Sequence, residues 1–126
     1  MKLLIVDDSS VIRTVVKAAA DMLHMEIAEA RDGIEAMELL ARIYSEIDLV
    51  LLDWNMPEMN GYDVLVEIKK SDLYKHIPVM MVTTEGQQSN IVTAVQAGAC
   101  NYLVKPFTVE ELESKIMECI GKGGGF

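Results

Sequence analysis

The stretch DLVLLDWNMP, residues 48–57, runs the four apolar residues Leu49–Leu52 straight into Asp53 and closes on Pro57. A short apolar run bounded by turn residues is the pattern of a strand covered on both faces. A carboxylate at the end of such a strand is costly unless something nearby makes its charge tolerable. What surrounds Asp53 therefore bears on both fold and function.

Working outward, the same kind of run recurs. Lys2–Val6 (KLLIV), Pro78–Val82 (PVMMV) and Tyr102–Val104 read as strands, and Met25–Ala30 (MEIAEA) as a weaker one. Helix-period stretches lie between them. Val11–Leu23 carries Val11, Ile12, Val15, Val16, Ala19 and Leu23 at helical spacing, behind the turn and N-cap Asp7-Asp8-Ser9-Ser10. Asp32-Gly33 turns into Ile34–Ile43, amphipathic through Ile34, Met37, Leu40 and Ile43. Val64–Lys70 follows Gly61, and Ile91–Ala97 is stopped by Gly98. Thr108 caps a last helix running to Ile120, with Glu111 completing a capping box. Five strands alternating strictly with five helices predict an α/β domain. Right-handed crossovers then favour a doubly wound, five-stranded parallel sheet in the flavodoxin-like order 2-1-3-4-5.

At 126 residues the chain is read as one domain over 1–121, with 122–126 of the GKGGGF run (121–126) as a flexible tail. The formal net charge is −9 and no cluster of Lys and Arg appears, which argues against nucleic acid as a partner. Such acidity suits metal cations or basic partner surfaces, and is also an ordinary route to solubility. No apolar run approaches the ~20 residues of a membrane span, and no signal segment opens the chain. A cytoplasmic monomer is expected. Cys100 and Cys119 are then read as reduced core or helix residues, with a redox pair as the alternative.

In an open α/β sheet, ligands bind beyond the carboxyl ends of the strands, where the strand order reverses. Asp7 and Asp8 follow the first strand, Asp53 the third, Thr83 and Thr84 the fourth, and Lys105 the fifth. Three carboxylates gathered there repel, and at least one has a raised pKa unless a cation joins them. A hard oxygen cluster of this kind suits Mg²⁺. Lys105 and the Thr83 hydroxyl are then placed to hold phosphoryl oxygens. A carboxylate nucleophile with Mg²⁺, a lysine and a hydroxyl is the equipment for an aspartyl phosphate. No glycine-rich nucleotide cradle is present, so the phosphoryl donor is expected to be another protein or a small phosphodonor.

Asp7-Asp8, Asp53, Thr83 and Lys105-Pro106, with the connecting text LLIVDDSSVIR (3–13), DWNMPEMNGYDVL (53–65) and AGACNYLVKPF (97–107), resemble the response-regulator receiver domain of two-component signalling. Each piece alone is weak. Together, at the right strand ends and over nearly the whole chain, they are specific. The resemblance implies that Asp53 accepts phosphate from a histidine kinase. It implies Mg²⁺ bound by Asp8, Asp53 and the backbone carbonyl of Asn55, with Asp7 acting through a water. It further implies that Thr83 moves to the phosphoryl group and that Lys105, preceding a cis Pro106, pairs with it.

The DWNMP text, Glu85 two residues after Thr83, Tyr102 and the lack of an output domain are similar to the stand-alone chemotaxis branch of that family. That branch implies the flagellar motor switch or a phosphatase as partner. Tyr102 and Thr83 would then serve the switch on an α4-β5-α5 face, and Asn55 and Glu85 would tune dephosphorylation. Thr84 stands where the family usually has Ala, and Gln87 and Gln88 replace common lysines. The alternatives are a phosphate sink or relay that does not bind the motor, and a haloacid-dehalogenase-like phosphatase. Against the latter, its Asp-x-Asp follows the first strand, whereas here Asn55 stands in the third position after the third strand. Trp54 is expected as a pocket wall or partial core residue, and Met56 and Met59 along the approach to Asp53. His24 and His76 are read as solvated.

Overall fold

The computed structural model describes residues 1–121; the predicted tail at 122–126 lies outside them. The elements are β1 (Lys2–Val6), α1 (Ser10–Met22), β2 (Glu26–Ala30), α2 (Gly33–Ile43), a 3₁₀ turn at Tyr44–Glu46, β3 (Leu49–Leu52), α3 (Gly61–Lys70), β4 (Val79–Thr83), α4 (Gln88–Gln96), β5 (Asn101–Val104) and α5 (Val109–Gly121). The sheet order is β2-β1-β3-β4-β5, and every pairing is parallel.

The apolar strands are explained by what covers them. Side chains along a strand alternate between faces. Leu4, Val6, Val50, Leu52, Val79 and Met81 pack with Ala36 and Leu40 of α2, Val64, Leu65 and Ile68 of α3, and Ala94 of α4. Leu3, Ile5, Leu49, Leu51, Met80 and Val82 pack with Val16, Ala19 and Ala20 of α1, and Leu112, Ile116 and Cys119 of α5. Consecutive residues thus enter two different helix layers, so neither position can be polar. β2 is an edge strand with an exposed Glu26 and partly exposed residues at 27–29, which is why its sequence reads weakly.

The boundaries depart from the apolar pattern where caps are polar. α3 begins at Gly61 rather than Val64, because the Asn60 side chain accepts from the Asp63 N–H at 2.9 Å. Ile91–Ala97 lies in and at the end of α4, which begins at Gln88 without a side-chain capping bond from Gln87. The predicted caps hold at Ser9, which accepts from the Ile12 N–H, and at Thr108 and Glu111, which bond each other's N–H at 3.1 and 3.0 Å. Val11 and Ile34, taken as part of the apolar stripes, are instead exposed, because each begins a helix whose apolar face is carried by later turns.

Cys100 and Cys119 are a correction. They form a disulfide between the entry of β5 and the last turns of α5. α5 lies back along β5, bringing the two Cα atoms to 6.2 Å, within disulfide range. Among the described residues, no helix is long and apolar enough to cross a membrane.

Candidate functional site

The parallel register sets Val6 beside Leu52, so β1 and β3 end together. The Asp53 N–H donates to the Val6 carbonyl at 3.0 Å, and the Asp7 N–H to the Ala30 carbonyl at 3.1 Å. Asp7 and Asp53 are thereby fixed by backbone bonds as neighbours at the switch point. Lys105 is set the same way: its N–H donates to the carbonyl of Thr83, the last residue of β4, at 2.8 Å. The Lys105–Pro106 peptide is cis, as expected.

Carboxylate oxygens of Asp7, Asp8 and Asp53 lie within 4.8 Å of one another. Asp7 and Asp53 are buried and Asp8 is exposed. The Lys105 ammonium stands 2.8 Å from Asp7 and 3.5 Å from Asp53. Burial pushes the Asp53 carboxyl above its usual range, and the Asp7 charge adds to this. Lys105, the Thr83 hydroxyl and the Asn55 N–H oppose the rise without cancelling it. One ammonium is too little for three carboxylates, so the cluster still favours a further cation. The donors are hard oxygens with neither thiol nor imidazole, and Asp8 opens the cluster to water. That set fits Mg²⁺, which prefers carboxylates and retained waters.

A second group borders the cluster. The Asn55 side-chain amide donates to the Glu85 carboxylate at 2.8 Å, closing a bridge between the loops after β3 and β4. The Asn90 amide of α4 reaches the other Glu85 oxygen at 3.5 Å. The Glu85 N–H donates to the Thr83 hydroxyl at 3.3 Å, and the Tyr102 hydroxyl donates to the Glu85 carbonyl. Tyr102 is buried against the core rather than turned to solvent, and burial raises its phenol, with Glu85 and Asp53 contributing. Thr84, Gln87 and Gln88 are exposed beside this group.

The structure thus brings Asp7, Asp8, Asp53, Thr83 and Lys105 together, with Asn55, Glu85 and Tyr102 along one side. Met56 and Met59 are a correction: Met56 is buried in the core and Met59 packs against it, with Met59 lying close to Gly33 at the start of α2. Trp54 packs partly on the core and stacks on Tyr62 with ring centroids 5.5 Å apart. His24 and His76 are exposed.

Two contributors were missed from sequence. Gly61 has no room for a side chain, because a Cβ there would stand 1.8 Å from the Asp53 carbonyl oxygen. The signal for it is a glycine directly before a helix-period stretch, eight residues after Asp53. The Arg13 guanidinium donates to the Asp7 backbone carbonyl at 2.8 Å. Its partner is a backbone carbonyl, so neither its residue type nor its spacing carried a signal.

The family model described as "Response regulator receiver domain" matches residues 3–117. A chemotaxis protein CheY homolog of Campylobacter jejuni is 42% identical over 126 residues, covering 99% of this chain and 96% of its own. Chemotaxis protein CheY1 of Helicobacter pylori is 43% identical over 122 residues, covering 96% of this chain and 98% of its own. Among solved structures, the CheX-CheY-BeF3-Mg²⁺ complex from Borrelia burgdorferi superposes with a TM-score of 0.88 at 30% identity, covering 93% of this chain and 87% of that one.

Proposed function

The chain belongs to the response-regulator receiver family, and from that premise we propose that it is a chemotaxis switch phosphorylated on Asp53. A histidine kinase supplies the phosphoryl group, and the phosphorylated form binds the flagellar motor switch in the cytoplasm. The observation that carries this reading is Asp53 itself. It is a buried carboxylate at the end of the central strand, beside Asp7 and Asp8 and within 3.5 Å of an ammonium.

In the transfer, an Asp53 carboxylate oxygen attacks phosphorus, and the bond from phosphorus to the donor nitrogen of the phosphohistidine breaks. The transition state spreads charge over the phosphoryl oxygens, so the site acts mainly by positioning and by neutralising that charge. Lys105 is placed to shift from Asp7 toward one oxygen, and the Thr83 hydroxyl toward another. Asp8, Asp53 and the Asn55 carbonyl would hold Mg²⁺, which supplies positive charge to the remaining oxygens. Both oxygens of Asp7 already accept hydrogen bonds, from the Ser9 N–H and from Lys105. That suits a role through a bound water rather than direct ligation.

Thr83, Glu85 and Tyr102 form one connected hydrogen-bonded group, which supports a switch passing from the phosphoryl site to β5 and α4. The Asn55–Glu85 bridge joins the loops that follow Asp53 and Thr83, which supports its tuning of phosphate lifetime. The exposed Thr84, Gln87 and Gln88 favour a second reading, a receiver that drains phosphate from a kinase without binding the motor. Capture by a motor-switch peptide separates the two. Beryllofluoride with Mg²⁺ should strengthen capture, and Asp53→Asn should abolish the gain. No capture in either state would replace the motor reading with the sink.

A further inference from the structure

The Asp7–Asp8 peptide carries two members of the carboxylate cluster, yet the two are held very differently. Asp7 is pinned by its own N–H, by both side-chain oxygens and by its carbonyl. The Asp8 carboxylate is exposed and has no hydrogen-bond partner among the described contacts, so its direction depends on how the peptide before it is set. That peptide's carbonyl is held by a side chain from outside the cluster. Arg13 Nη1 donates to it at 2.8 Å, and Arg13 Nε donates to Glu29 of β2 at 3.1 Å. Glu29 is itself engaged on its other oxygen by Lys17 at 2.7 Å. The Arg13 side chain is only 15% exposed, so its fork is held in place rather than sampling solvent.

We propose that Arg13, braced by Glu29, is a positioning residue for the divalent cation. By fixing the Asp7–Asp8 peptide it aims the Asp8 carboxylate into the cluster. This rests on the reading of the cluster as a Mg²⁺ site. A cation placed so near a cation site works against the metal electrostatically, so its presence there calls for a geometric reason. A planar fork that bonds a carbonyl and a carboxylate together supplies one, and lysine cannot reproduce it.

The two effects have opposite signs, which makes the test decisive. Removing positive charge by Arg13→Ala should tighten Mg²⁺ if charge alone matters. If positioning matters, affinity should fall on the order of tenfold, the range seen when partners that orient metal ligands are removed. Titration calorimetry with Mg²⁺ on the purified protein reads this directly, beside the melting temperature in metal-free buffer. Arg13→Lys keeps the opposing charge but cannot form the fork, so it should weaken Mg²⁺ at least as much as Arg13→Ala; it carries the test if Arg13→Ala does not fold. Lys17→Ala, which removes a cation that does not touch Asp7, should leave affinity within about twofold of the parent. Unchanged or tighter binding in the folded Arg13 variants would overturn the positioning role while leaving the Mg²⁺ site standing. No Mg²⁺ binding by the parent protein would overturn the site and the inference with it.

Discussion

Asp53 has a carboxyl held above its ordinary value of 3.8, first by burial and then by the charge of Asp7. The folded state therefore holds that proton more tightly than the unfolded chain does. The stability this contributes is fully present below the unfolded value and is lost as pH rises through the folded one. At a pH above both values, without metal, the Asp53 carboxyl weighs against folding. Asp53→Asn should consequently melt higher than the parent at pH 7 in chelator, with the advantage shrinking toward pH 4. An equal or lower melting temperature at pH 7 would mean that Lys105 and Thr83 already compensate the charge. The strand that carries Asp53 was legible in sequence, because Leu49–Leu52 must fill two helix layers at once. Arg13 was not, because its bond is to a backbone carbonyl, and no pattern of side-chain types records where a carbonyl points.

At the level of elements, the entry of α3 presses on the end of β3 closely enough that Gly61 leaves no space for a methyl group. The obstructing atom is the Asp53 carbonyl oxygen, which cannot swing aside as a side chain would. Gly61→Ala should cost about 3 kcal/mol or more by chemical denaturation, and should slow phosphorylation by displacing Asp53. Near-native stability would mean that the α3 entry relaxes. The opposite end of the sheet holds the other element-scale feature. Cys100 and Cys119, 19 residues apart, tie β5 to α5. Reduction should lower stability by about 3 kcal/mol on the chain-entropy estimate for a loop near that length. Thiol alkylation of the native, unreduced protein should label neither cysteine; labelling of both would exclude the bond. Sequence could not pair them, because their proximity depends on how α5 lies along β5. Compartment reasoning from an expected cytoplasmic setting pointed toward thiols. The helix starts at Gly61 and Gln88 precede the apolar pattern for a simpler reason: the first turns carry few apolar residues, so hydrophobic periodicity begins after the helix does.

For the whole molecule, the alternation of strands and helices gave the α/β class, right-handed crossovers favoured the sheet order among a few, and that order gathers the site. Only in the order 2-1-3-4-5 do the ends of β1 and β3 adjoin at the reversal point, with β4 and β5 following outward on one side. Asp7, Asp53, Thr83 and Lys105 come from four separate strand ends, so their meeting reflects topology rather than local sequence. The connection from Thr83 through Glu85 to Tyr102 was legible only as a set of positions; that Tyr102 packs inward and bonds the Glu85 carbonyl required coordinates. The proposed role of Asp53 as a Mg²⁺-dependent phosphoacceptor is tested most directly by intact-mass spectrometry after incubation with acetyl phosphate. With Mg²⁺ the protein should gain the mass of one phosphoryl group. The gain should be absent in chelator and absent in Asp53→Asn. An unchanged mass with Mg²⁺ present, or a phosphoryl group that persists in Asp53→Asn, would show that Asp53 is not the acceptor.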